Sequence, residues 1–161
     1  MKRTLIALFL MTQSLYALAD GQSDCDAAAG SYVTGTVVSG PKFARASSTL
    51  QGVKLSHTHV RVQSDQDGQV YDVAIDNVYA DDYALNSNSV PKSLRAIRLN
   101  DKLELCGQLY TSGGVGIHWV HDNCNVTPDS AHPDGWIKET SSNGDVGDNL
   151  AGSQAYCYLW N

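Results

Sequence analysis

Apolar and polar positions alternate with a period of two through much of the chain, which predicts strands rather than helices. Tyr32 to Val38, YVTGTVV, is β-branched and reads as a strand that Ser39-Gly40-Pro41 should end. Lys54 to Gln63 places Thr58, Val60 and Val62 on one face and His57, His59 and Arg61 on the other. Asp65 to Gly68 is a turn sequence, and Val70 to Ile75 returns with Val73 and Ile75 on one face, so the two runs predict a hairpin. Lys102 to Tyr110 presents Leu103, Leu105 and Leu109 together, and Val115, Ile117 and Trp119 repeat the pattern beyond Ser112-Gly113-Gly114. If Leu109 opposes Ile117, Gln108 opposes His118 and Cys106 opposes Val120, with His118 turned away from the leucine face.

Between these runs the chain is polar. Asp20 to Gly30 reads as a loose arm tied down at Cys25, residues 42 to 52 as a loop, and Asp76 to Val90 as a long surface loop. Pro91 suits the first position of a short helical turn over Ser93 to Ile97. A Gly/Asn/Asp-rich loop at 141 to 153 precedes Tyr156 to Trp160, a last strand or docked tail. About five or six strands, one short helical turn and no internal repeat predict a mainly β fold. The expected architecture is a small OB-like barrel, closed or partly open, over residues 20–161, with a small β-sandwich as the alternative.

The first nineteen residues change the compartment. Lys2 and Arg3, the apolar run Leu5 to Met11 and the small-x-small Ala17-Leu18-Ala19 form a secretory signal peptide, with cleavage expected between Ala19 and Asp20. The product would be periplasmic or secreted. A membrane span needs about 18 consecutive apolar residues; Thr12, Gln13 and Ser14 interrupt this run, and no later run is that long. The formal net charge of −6 becomes −8 once Lys2 and Arg3 are removed. That acidity disfavours nucleic acid as a partner unless cations bridge, because phosphates must be met by Lys and Arg.

All four cysteines follow residue 19, and an even number in an oxidising compartment predicts two disulfides. Cys106–Cys124 across the second hairpin and Cys25–Cys157 between the ends is the favoured pairing of three possible ones. No C-x-x-C pair supports a Cys-based zinc site.

The stretch Gly113-Gly114-Val115 to His121-Asp122, followed by His132-Pro133-Asp134-Gly135-Trp136-Ile137, resembles a family of small exported bacterial proteins described as domain of unknown function 3465. Members carry a G-G-V-x-H-W-T-H segment and then H-x-D-G-W-I. His57, Asn77 and Leu99 to Gly107 extend the likeness, which covers roughly residues 33 to 140. The chain departs from the family at Val120, where Thr is usual, and at Asp122-Asn123-Cys124, where His-Asp-Pro is commoner. The resemblance implies a shared fold and a shared site, and the extra Cys124 implies a disulfide-stabilised variant.

The candidate site residues cluster in the same region. His118, His121 and His132 offer three imidazoles for Zn²⁺ or another borderline divalent ion, provided that the chain bends after Trp119, since His-x-x-His on a regular strand splays the rings apart. His57 and His59 share one strand face, and either would join such a site if the fold carried it to His118. Asp122, Asp129 and Asp134 lie where a carboxylate orients an imidazole or acts as a base, although Pro128-Asp129-Ser130 and Pro133-Asp134-Gly135 are also good turns. Trp136 offers a stacking face, while Trp119 follows Ile117 and reads as core. Ser112 lacks a G-x-S-x-G setting, and Gly113-Gly114 is a hairpin turn rather than a phosphate loop.

The residues therefore support an exported binding module whose His/Trp-lined site uses His57, His118, His121, His132 and Trp136 to take a small molecule, glycan or protein. Two alternatives stand beside it. One is a small metal-dependent hydrolase of phosphodiester or cell-wall substrates, with the same histidines as ligands and Asp122, Asp129 or Asp134 as base. The other is a structural or inhibitory partner protein.

Overall fold

The computed structural model describes residues 20–160, so the expected signal peptide at 1–19 lies outside the described residues. Residues 20–27 form helix α1. The strands are β1 (Ser31–Ala44), β2 (Thr49–Leu50), β3 (Val53–Lys54), β4 (His57–Ser64), β5 (Val70–Asp76), β6 (Lys102–Tyr110), β7 (Gly116–His118) and β8 (Trp136–Thr140), with helix α2 (Lys92–Arg95) before β6. The fold is mainly β. Strands β1, β4, β5, β7 and β6 are hydrogen-bonded in that order, and β6 pairs back onto β1, which closes the sheet into a ring. Strand β8 is added against Lys102–Cys106 of β6. Only the β5–β7 pair is parallel among these pairings.

The predicted alternation fills the ring. Thr58, Val60 and Val62 of β4, Tyr71, Val73 and Ile75 of β5, and Leu103 and Leu105 of β6 are buried together with Val33, Val37 and Ile117. Leu94 and Ile97, from α2 and the residues after it, are also fully buried. The second hairpin has the expected register, Leu109 opposite Ile117 and Gln108 opposite His118. It stops there: β7 ends at His118, so Cys106 meets Tyr32 and Trp136 instead of Val120.

Several expectations are corrected. Asp20 to Gly30 is not a loose arm but contains α1, whose Cys25 is fully buried. Strand β1 does not end at Ser39-Gly40-Pro41. Its ladder with β4 jumps from Ser39↔Arg61 to Lys42↔His59, an irregularity that accommodates a proline without an N–H to donate. The 42–52 loop holds the end of β1 and half of the β2–β3 hairpin. The supposed surface loop after Asp76 opens with a 3-10 turn, Asn77–Tyr79, whose residues are all buried. Asn77 is held by Thr58 Oγ1, which donates to its Oδ1 at 2.6 Å, and by its own Nδ2, which donates to Ser56 Oγ at 3.0 Å. Tyr156 to Trp160 is a docked tail with a 3-10 turn, Cys157–Trp160, that buries Leu159.

The disulfides are Cys25–Cys106 and Cys124–Cys157, not Cys106–Cys124 and Cys25–Cys157. Because the chain leaves the sheet after His118, Cys124 never comes alongside Cys106 and meets the tail instead. No cysteine is free for metal. Two disulfides fit an oxidising compartment. Among the described residues, no helix is long and apolar enough to cross a membrane.

Candidate functional site

The outer face of the β4–β5 hairpin is polar because each interior side chain alternates with one pointing away. Its register sets His57 opposite Asp76, His59 opposite Ala74 and Arg61 opposite Asp72. Strand β7 lies parallel to β5 with Val73 opposite Ile117, which brings His118 beside Ala74 on the same outer face.

The next residue makes the site. Trp119 has φ +55°, a left-handed conformation that costs a bulky residue about 1–3 kcal/mol. Reversal at this point sends Val120 into the core and returns His121 to the side of His118. The expected bend thus lies at Trp119 itself. It is held from behind by Gly135, whose N–H donates to His121 O at 2.9 Å. A Cβ at Gly135 would collide with the carbonyl oxygens of Trp119 and Cys106, so only glycine fits. The two sequence motifs, GGVGIHWVH and HPDGWI, therefore pack against each other.

The result is a cavity of about 260 Å³ whose lining includes His57, Asp76, Tyr79, His118 and His121 together with Trp119 and Trp160. His121 stacks on Tyr79 with ring centroids 3.7 Å apart, and Tyr79 stacks on Trp160 at 5.5 Å. The carbonyl of Asp122 lies 2.7 Å from His121 Nδ1. A carbonyl only accepts, so Nδ1 carries the proton and Nε2 keeps its lone pair. Asp76 Oδ1 is buried without a hydrogen-bond partner among the described residues, and His57 Nε2 stands 3.9 Å from it. An orphaned buried carboxylate oxygen in a native fold calls for an explanation.

Burial governs the protonation states. It pushes the Asp76 carboxyl up to about 7 and holds His121 down at about 4. His57 is lowered by burial first and then by His59 and His118, and His118 is lowered by burial. The cavity at neutral pH thus combines neutral imidazoles with a carboxyl close to its midpoint, a set able to exchange protons or hydrogen-bond to a polar ligand.

The remaining expected residues fall elsewhere. His132 is across Trp119, edge-on to its ring at 4.9 Å, and lines a second recess of about 420 Å³ with Tyr79, Trp119, Asn123, Val126 and Trp160. Trp119 is therefore a partition between two recesses, not core. His59 is tied to Asp72 at 2.9 Å. Trp136 lies on β8, where its Nε1 donates to Glu104 at 3.2 Å and Lys138 covers its ring. The three expected carboxylates do turn work: Asp122 accepts from Cys124 N, Asp129 from the N–H groups of Ala131 and His132, and Asp134 from Asn123 N. None lines the histidine cavity. Among the described residues, the one group of three or more potential ligand atoms lying within 4.8 Å of one another is Asp122, Cys124 and Cys157, and both sulfurs are taken by a disulfide.

Sequence reasoning missed Asp76, Tyr79 and Trp160. Asp76 was reachable, because counting back through the hairpin turn pairs it with His57. Tyr79 and Trp160 carried no such signal, since only the closed ring and the Cys124–Cys157 bridge bring them together. No protein-family model, curated protein or solved structure matches the chain.

Proposed function

We propose that the chain is an exported, OB-like barrel module that binds a small polar ligand of saccharide chemistry on the outer face of β4, β5 and β7. The observation that carries the reading is the orphaned Oδ1 of Asp76, a residue that lines a cavity whose other walls include imidazoles and aromatic rings. A sugar offers hydroxyls to Asp76, His57 and His118 and an apolar ring face to Trp119 or Trp160. The strand order, with a long first strand that pairs at both ends and one parallel pair, supports the OB-like description, and that fold characteristically binds oligosaccharides and oligonucleotides on this face. The acidic surface favours the sugar. Export rests on the signal-like residues 1–19 and is supported by the two disulfides. Membership of the domain of unknown function 3465 family belongs to the same proposal, and the packing of its two motifs around Trp119 and Gly135 supports it.

A hydrolase working through a metal on His118, His121 and His132 has less support, because Trp119 stands between His132 and the other two.

The test is a glycan array probed with oxidised, chelator-treated protein beside Asp76→Asn and Trp160→Ala. Binding that both substitutions abolish is expected. An array on which the wild-type protein recognises nothing, or binding indifferent to both changes, overturns the saccharide reading.

A further inference from the structure

We propose that the same cavity holds one borderline divalent transition-metal ion, with Zn²⁺ as its representative, on His57, Asp76, His118 and His121. This rests on the cavity described above but not on the sugar, and it replaces His132 in the expected ligand set by His57 and Asp76.

Three observations carry it. The first is the buried, unpartnered Asp76 oxygen, for which a cation is the simplest complement. The second is its distance from His57 Nε2, 3.9 Å. Two ligands about 2.1 Å from a tetrahedral ion stand about 3.4 Å from each other, so this pair is within roughly half an ångström of the spacing of two tetrahedral ligands. The third is the orientation of His121. Donation from Nδ1 to the Asp122 carbonyl leaves Nε2 free and fixes the ring, which is the outer support that metal-bound imidazoles nearly always have. Neutral nitrogen donors with one carboxylate suit Zn²⁺, Ni²⁺ or Cu²⁺ better than Ca²⁺ or Mg²⁺, which take oxygen.

No three of these ligand atoms now lie within 4.8 Å of one another. The ion therefore draws His118 and the His57–Asp76 pair towards His121, whose ring keeps its bond to the Asp122 carbonyl, and a cavity of about 260 Å³ leaves room for that and for water to complete the shell. His59 takes no part because Asp72 holds it. His132 takes none because Trp119 screens it.

The experiment titrates chelator-stripped, oxidised protein with ZnCl₂ by calorimetry and follows the histidine ring resonances by NMR. One equivalent should bind, shifting or broadening His57, His118 and His121 and sparing His59 and His132. Asp76→Asn and His57→Gln should each weaken binding at least tenfold, and His132→Ala should leave it unchanged. Absence of stoichiometric binding to the wild-type protein overturns the site, as does a response centred on His132. The NMR pattern needs no variant, so a substitution that fails to fold does not spare the proposal. Because the glycan array is run in chelator, either proposal can fail alone.

Discussion

His57 Nε2 and Asp76 Oδ1 face each other at 3.9 Å across the β4–β5 pair, and the carboxylate oxygen is sealed from solvent. The titratable side chains that share its cavity are His57 from β4, His118 from β7, His121 beyond it and Tyr79 from the 3-10 turn. None of these is a fixed cation, so nothing offsets the desolvation that raises the carboxyl to about 7. The fold thus keeps the proton on Asp76 over a range where the unfolded chain releases it.

The sign of the resulting pH dependence follows. A carboxyl whose folded value is raised contributes stability below its ordinary value near 4 and loses it as pH climbs towards about 7. The lowered histidines act oppositely, losing stability as pH falls from about 6.5 towards the folded value of about 4 for His121. Comparison with Asp76→Asn isolates the carboxyl. In chelator, the variant should gain on the wild-type protein in urea-unfolding free energy between about pH 4.5 and pH 8, by at most on the order of 4 kcal/mol. A difference that does not change over this interval would show that Asp76 ionises in the fold without penalty.

Asn77 positions the turn that carries Tyr79. Its side chain satisfies Thr58 and Ser56 at once, and its N–H donates to Ser56 O at 2.9 Å. Truncation leaves buried hydroxyls unpaired, at about 1–3 kcal/mol per orphaned group. Asn77→Ala should therefore lower the unfolding free energy by about 2 kcal/mol or more. Asn77→Asp should do at least as much harm near neutral pH, since it sets a charge where an amide donated. A near-neutral effect of Asn77→Ala in chemical denaturation would mean that water replaces the amide there.

The sequence made parts of this arrangement readable and hid others for physical reasons. Alternation on β4 and β5 assigned inward and outward faces, because burial on one side of a strand imposes a period of two, whereas β6 is buried on both faces from Leu103 to Gly107 and leaves Leu109 exposed. The Leu109↔Ile117 register followed from a short turn. The course of β1 beyond Pro41 did not, because the irregular pairing that tolerates the proline depends on its partner β4. Disulfide connectivity depended on where the chain leaves β7, and that was set by a left-handed tryptophan with no sequence signature of its own. His118 and His121 were legible as a pair. Their meeting with His57 required the parallel β5–β7 contact, a long-range fact.

Gly135 is the support on which the Trp119 reversal leans. Gly135→Ala forces the new methyl against two backbone carbonyls, neither of which can rotate away. Overpacking of this kind costs about 1–3 kcal/mol. The expected result is a destabilised but folded chain in which the near-ultraviolet circular dichroism of the tryptophans changes and the zinc affinity falls. Ala at this position with wild-type spectra and wild-type zinc binding would show that the GGVGIHWVH and HPDGWI segments are held together by something other than this contact.

The Cys124–Cys157 bridge decides whether the cavity has its outer wall. It joins residues 33 apart, whereas Cys25–Cys106 joins residues 81 apart. On chain-entropy grounds the two should contribute about 3–4 and 4–5 kcal/mol respectively, so losing either destabilises the fold. Their functional consequences differ. Losing Cys25–Cys106 unties α1 from β6 on a buried stretch that contributes no side chain to the histidine cavity. Losing Cys124–Cys157 releases the 3-10 turn that sets Trp160 on Tyr79. A Cys124→Ser/Cys157→Ser double variant should remain folded, with Leu159 and Trp160 exposed and tryptophan emission shifted to the red. Ligand binding should weaken wherever Trp160 supplies the stacking face, while zinc binding, which does not use the tail, should persist. Emission unchanged from the wild-type protein would show that Leu159 alone docks the tail, leaving the disulfide only a stabilising part.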